Sequence, residues 1–191
     1  QRGRQAGVVG HVDVVLDGID AFQIGPRRLL YKKAREKGIY VLFSAPKAYG
    51  ATLQIFDPKG MSFEEYFSIR NNMTRAEQIA VFLLGIAPMF GSKNKLDESK
   101  MDFENEKAPA LACTVALSTG IITSSILKIL LNREKPLCIP HAFYIDTYHW
   151  RFVHTKRQPL KFRWLQKLVI RYCFAKFPSL KRLHLSEKLP H

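Results

Sequence analysis

The strongest constraint on this chain is a strand, turn, helix and strand unit written into residues 12–56. The apolar run of Val12, Val14, Val15 and Leu16 reads as a strand and ends in Asp17-Gly18-Ile19-Asp20, a turn carrying two carboxylates. Gly25-Pro26 then opens a helix, because proline's fixed φ and missing N–H suit a first helical turn, and Gly38 closes it. Tyr40–Phe43 is the next strand. Residues 44–51, mostly small, form a turn, and residues 52–56 read as a further strand closed by Asp57-Pro58-Lys59-Gly60. In open α/β sheets ligands gather at the carboxyl ends of strands, so Asp17 and Asp20 stand where a metal-bound phosphate is met.

Beyond this unit, residues 63–67 read as a short helix and residues 74–87 as an amphipathic one. Thr74 and Glu77 have capping-box spacing, and Ile79, Phe82, Leu83 and Ile86 supply a buried face. Residues 93–107 are polar and lack apolar periodicity, which predicts a connecting surface loop lying over the cleft. A long helix is expected over 110–132 and a last clear strand over 137–145. Residues 108–127 carry no charge, long enough nominally to cross a bilayer, but six Ser and Thr residues dilute them. Ala112, Ala116, Gly120 and Ser124 recur at i, i+4, which lets a helix lie close to another backbone. The reading is a buried helix packed on the sheet, with a membrane span as the alternative.

Charge separates the two ends of the chain. Residues 156–191 hold ten Lys or Arg against the single acid Glu187, so they carry +9 of the formal +14. Phe162, Trp164, Leu165, Leu168, Tyr172 and Phe174 interleave there with Lys161, Arg163, Lys167, Arg171 and Lys176, the pattern of a basic helix with aromatic anchors. We divide the chain at that point, into an α/β domain at 1–155 and a basic, aromatic-rich extension at 156–191. Cys113, Cys138 and Cys173 are far apart and odd in number, which argues against a disulfide framework and for a reducing cytoplasm. Within a helix or strand such thiols behave as inert small hydrophobes. The six histidines have no metal-ligand spacing, and no dyad is expected from them.

The order V-V-L-D-G-I-D (14–20), an Arg seven residues on, G-I-Y-V-L-F-S-A (38–45) and Q-I-F (54–56) resembles the second half of the ThiF/MoeB family, the ubiquitin-activating-enzyme-like adenylyltransferases. The likeness extends more loosely through residues 60–63, 102–105, the helix after Pro109 and the strand end at Tyr144-Ile145-Asp146, over roughly the first 150 residues. It implies a Rossmann-like ThiF-type NAD/FAD-binding fold, here its C-terminal half, with a mixed sheet and flanking helices. The family's Gly-rich nucleotide loop would lie upstream of Gln1, since no G-x-G-x-x-G occurs here, and the fragment alone is expected to be inactive. The cofactors implied are ATP and Mg2+.

By the same resemblance Asp20 is the catalytic and metal-binding candidate, matching an Asp that helps hold magnesium–ATP phosphates during carboxylate adenylation. A hard oxygen ligand suits magnesium, and neutralising charge lowers the barrier to attack of a carboxylate on phosphorus. Helix or turn capping is the other reading of Asp20. Asp17 and Arg27 are further cofactor-binding candidates, although the family's Arg follows its Asp by about five residues and Arg28 sits beside Arg27. Lys47, in the turn, reads more simply as an exposed side chain.

The implied activity is ATP-dependent activation of the C-terminal carboxylate of a ubiquitin-like or sulfur-carrier protein, by a chain that pairs as a homodimer. A tRNA-modifying relative is a second reading. A third is a non-catalytic binding module whose basic tail, 156–191, docks to a polyanion, either tRNA or an anionic membrane.

Overall fold

Six strands form a single mixed sheet in the computed structural model, which describes residues 12–47, 49–86, 102–103, 105–106, 110–160 and 162–188. In chain order the elements are β1 (Val14–Asp17), α1 (Ile24–Glu36), β2 (Tyr40–Phe43), β3 (Pro46–Lys47), β4 (Gly50–Phe56), α2 (Phe63–Phe67), α3 (Arg75–Gly85), α4 (Ala112–Leu130), β5 (His141–Asp146), β6 (Arg151–Lys156), α5 (Arg163–Lys176) and α6 (Pro178–Ser186). The sheet order is β1-β2-β4-β5-β6, with β3 paired to β4. Only β1 and β2 run parallel, joined by α1 as the crossover; every later pairing is antiparallel. This is the α/β class with a mixed sheet and flanking helices expected from the sequence.

Local chemistry accounts for the element ends. Gly38 adopts φ 71°, the left-handed conformation that glycine tolerates best, and so terminates α1. Thr74 accepts a hydrogen bond from the Glu77 amide while Glu77 accepts one from the Thr74 amide, which completes the anticipated capping box of α3. Ser62 and Glu65 build a second one at α2. At Gly50 a Cβ would lie 2.1 Å from the Ile145 carbonyl oxygen, so only glycine admits the close β4–β5 approach.

The two faces of the sheet are covered unequally. Strand side chains alternate, so Val15, Val41, Phe43 and Phe56 share one face, where they join Tyr31, Phe63, Phe67, Ile79 and Phe82 in the main core beneath α1, α2 and α3. Leu42, Leu53, Ile55 and Phe143 point to the other face, which α4 covers. The fully buried reading of α4 needs correction. Only Thr114, Ser118 and Ile122 are buried, whereas Leu127 is 58% exposed and the 112/116/120/124 stripe of small residues faces outward. The sheet-facing side joins a hydroxyl contact, Ser44 donating to Ser118 at 3.0 Å, to Ile121, Ile122, Ile126 and Ile129 packed on Leu42, Leu53 and Ile55, while Thr114 turns back to the Leu111 carbonyl. Thr119, Thr123, Ser124 and Ser125 likewise donate to carbonyls of their own helix. By length and composition α4 would suffice to cross a membrane, but here it lies along β2, β3 and β4.

Two strands were not anticipated. β3 is only two residues, and β6 alternates without a clear apolar face. The expected strand at 137–145 begins later, at His141, so Cys138 precedes it. Most of residues 93–107 lies outside the described residues, as do Ala87, Pro109, Lys161, His11 and His191.

Residues 163–186 pack against α3. Gln166 donates to the Ser68 carbonyl, the Cys173 thiol lies 3.8 Å from the Ala80 carbonyl, and the ring of His184 meets the Thr74 hydroxyl at 2.9 Å. Burial holds the His184 pKa below the ordinary imidazole value, with Lys188 adding to the effect. The unfolded chain therefore binds the proton more readily, and stability fully present above the unfolded pKa is lost as pH falls from that value through the lower folded one. Urea midpoints measured between pH 7.5 and 5.5 should decline, and His184→Gln should flatten that slope.

Candidate functional site

At the carboxyl end of β1 the chain turns sharply through residues 17–20, and the turn is built around one buried guanidinium. Arg27, in the first turn of α1, is 0% exposed. Its Nε donates to Asp17 Oδ2 at 2.7 Å, its Nη1 to the Asp20 carbonyl at 3.1 Å and its Nη2 to the Ile19 carbonyl. The guanidinium plane lies over Phe82 (4.6 Å) and Phe43 (5.4 Å), so aromatic faces and fixed acceptors replace its water. The Asp17 carboxylate is equally satisfied. It accepts from Arg27, from the Tyr31 hydroxyl at 2.9 Å and from the Ile19 amide at 3.0 Å. Burial, reinforced by the Asp17 charge, raises the Tyr31 pKa well above the ordinary phenol value and keeps this donor protonated.

Asp17 and Arg27, singled out in sequence as ligand-binding residues, are thus committed to each other and to the turn. Their polar atoms contact the loop rather than open space. Asp20 is placed differently: its backbone is held by Arg27, and its side chain is exposed. One carboxylate oxygen accepts from the Phe22 amide at 2.9 Å, so the capping geometry considered for Asp20 is present. Capping and ligand binding do not exclude each other, because a carboxylate has about four acceptor positions.

The structure brings further groups to this rim that periodicity and motif spacing did not indicate. Arg75, at the start of α3, donates to the Phe22 carbonyl at 3.2 Å and pairs with Glu106, which also accepts from Gln23 at 2.8 Å. Hydrogen bonding from Arg75 lowers the Glu106 pKa from its usual carboxylate value. Phe103 packs edge-on against Phe22 at 5.5 Å. The described part of the expected polar loop therefore lies against Phe22 and Gln23, just after Asp20 in the chain. Only a D-F-E-N-E run marked it in sequence.

Further along the same edge, Asp146 ends β5 opposite Gly50. Its buried carboxylate accepts from the Tyr148 and His149 amides and meets His149 Nδ1 at 3.0 Å, which ties the β5–β6 turn and orients the imidazole. This Asp–His pair was not anticipated; the D-x-x-H spacing at a strand end was the available signal. Tyr49 and Tyr148 stack beside it at 4.5 Å. Lys47 is half-buried in β3 on this side of the sheet.

The opposite edge holds an open groove of about 640 Å³ lined by Arg35, Gly60, Glu64, Glu65, Arg70 and Leu160, among others. Asp17 and Asp20 do not border it. No group of three His, Cys, Asp or Glu side chains among the described residues can hold a metal by itself. A magnesium ion that arrives with a triphosphate has a smaller requirement, one or two carboxylates with phosphate oxygens and water completing the shell. Asp20 fits that role as a single hard ligand. Thiol chemistry is disfavoured at Cys138 and Cys173, whose pKa values burial pushes up to about 11; Cys113 is exposed near the start of α4.

A family model described as the ThiF family matches residues 5–161. Among solved structures, one titled "Crystal Structure of SeMet PaaA" aligns at 14% sequence identity with a TM-score of 0.46, covering 78% of this chain and 36% of that one. The present chain thus spans little more than a third of that structure's length. No curated protein matches the chain.

Proposed function

The chain belongs to the ThiF family, and from that footing we propose that it supplies part of the phosphate-facing rim of an ATP-dependent adenylyltransferase. Members of the family generally act on ubiquitin-like or sulfur-carrier proteins. In our reading the acceptor is the C-terminal carboxylate of such a protein, activated as its acyl-adenylate.

One observation carries this proposal. Asp20 is an exposed carboxylate at the carboxyl end of a parallel strand, on a backbone immobilised by a buried arginine. Asp20 would contribute one oxygen to a magnesium ion bound with ATP, and that ion would neutralise charge as a carboxylate approaches phosphorus. Arg27 and Asp17 act as positioning residues, since they fix the turn and touch no open space. Their value is that Asp20 is set in place before any ligand arrives, and a charge already in position loses no energy to reorganisation. Arg75, paired with Glu106, borders the same turn and donates to the neighbouring Phe22 carbonyl.

The test is ATP–pyrophosphate exchange in a protein that contains this chain together with its nucleotide-binding segment. Asp20→Ala and Asp20→Asn should each lower exchange on the order of 100-fold or more, comparable to the removal of a single preorganised group in other enzymes. Asp20→Asn keeps an acceptor for the Phe22 amide and should hold its melting temperature, while Asp20→Ala loses that bond and should melt a few degrees lower but still fold. Exchange at the parental rate in a folded Asp20→Ala protein would remove the residue on which the proposal rests.

A further inference from the structure

The outward face of α5 takes part neither in the core nor in the proposed adenylation chemistry. Gln166, Ile170 and Cys173 point inward toward α3. Trp164, Leu168 and Tyr172 recur every four residues and therefore form one stripe along the helix, 63%, 51% and 47% exposed. Lys167 and Arg171 flank the stripe on one side and Lys176 on the other, all exposed. α6, packed beside α5, carries exposed Lys181, Arg182 and Leu185. Neither helix contains an acidic residue, and the one acid of the extension, Glu187, has an oxygen committed to the Ala76 amide at the start of α3.

We propose that this face docks onto an anionic lipid bilayer. Trp164, Leu168 and Tyr172 would sit at the boundary between headgroups and acyl chains, and the Lys and Arg side chains would lie on the lipid phosphates and carboxylates. Charge complementarity selects an anionic surface, and each cation held near one contributes by attraction to it. The apolar residues choose between polyanions. Lys, Arg and Tyr suit a nucleic-acid backbone as well as a lipid headgroup, but a nucleic-acid surface also draws on Asn, Gln, Ser and Thr for phosphates, sugars and base edges. The exposed positions of α5 contain none of those last four; they are basic, aromatic or aliphatic. An exposed leucine gains nothing from phosphate, whereas it does gain from hydrocarbon, and tryptophan and tyrosine favour the bilayer interface. α5 is about 20 Å long, so its exposed row of side chains can run along a planar surface.

The experiment uses the full chain with vesicles of phosphatidylcholine alone or with about 30% phosphatidylserine. Trp150 and Trp164 are the two tryptophans, so a Trp150→Phe background makes Trp164 the sole indole reporter. The chain should co-sediment with anionic vesicles, bind neutral ones far more weakly, and show a blue shift of Trp164 emission on binding. Loss of one cation near such a surface weakens binding about fivefold, so Lys167→Glu with Arg171→Glu should weaken it at least ~25-fold. Leu168→Ser should weaken binding and reduce the blue shift at unchanged charge. These positions are exposed, so thermal melts of the variants should match the parent. Asp20→Ala should bind vesicles like the parent, which separates this proposal from the adenylation reading. Equal binding to neutral and anionic vesicles, or parental binding by the charge-reversal variant, would overturn the proposal. So would displacement from vesicles by tRNA without any shift of Trp164 emission, which would assign the face to nucleic acid.

Discussion

Arg27→Ala should cost about 3–5 kcal/mol of folding stability, a large share of the 5–15 kcal/mol typical of a domain. The loss has two sources. The buried Asp17 carboxylate would keep its bonds from Tyr31 and the Ile19 amide but lose its only countercharge among the described groups, and the carbonyls of Ile19 and Asp20 would lose their guanidinium donors. Removing one member of a buried pair strands the other, which is why the single change is worse than its Coulomb energy suggests. Urea unfolding followed by circular dichroism gives the measurement. Asp17→Ala combined with Arg27→Met should recover part of the deficit, since neither charge is then left in the core. A loss below about 1 kcal/mol for Arg27→Ala would mean that the turn is held by other means.

Phe82→Ala should cost a similar amount, about 3–5 kcal/mol, for a different reason. Phe82 is fully buried in α3, with ring centroids 4.9 Å from Phe67, 5.7 Å from Phe43 and 6.1 Å from Phe63. Truncation would leave a cavity among rings too rigid to collapse into it. It would also remove the aromatic face 4.6 Å from the Arg27 guanidinium, so the two substitutions should not add. A double-mutant cycle with Arg27→Met should return a coupling of about 0.5–3 kcal/mol. Strict additivity would show that the cation gains nothing from the ring.

Much of the fold was legible because its punctuation is local. Gly38, the Thr74–Glu77 box and the aromatic and aliphatic run of Tyr40–Phe43 act within a few residues, and the boundaries they implied lie close to those observed. β6 escaped because Arg151, Phe152, Val153, His154, Thr155 and Lys156 give neither alternate set an apolar majority; its pairing with β5 decides its state. The face of α4 escaped for a related reason. Small residues at 112, 116, 120 and 124 looked like a packing stripe, but packing of Ile121, Ile122, Ile126 and Ile129 on the sheet, with the Ser44–Ser118 contact, turns that stripe outward.

The candidate site divides in the same way. Asp17 and Asp20 stood out from their place at a strand end, and Arg27 entered only through the family resemblance. Their division of labour was not legible, because burial of a carboxylate depends on Phe43, Phe82 and Tyr31 arriving from other elements. Arg75 and Glu106 are 31 residues apart, and only the tertiary fold brings them beside Phe22.

The guanidinium grips this turn largely by main-chain oxygens, which makes the geometry indifferent to the side chains that the turn happens to carry. Gly18 is exposed, and a Cβ there would meet nothing within 4 Å. Position 18 is therefore a site where sequence can diverge, or be diversified deliberately, to change what neighbours the acidic group at position 20 without displacing it.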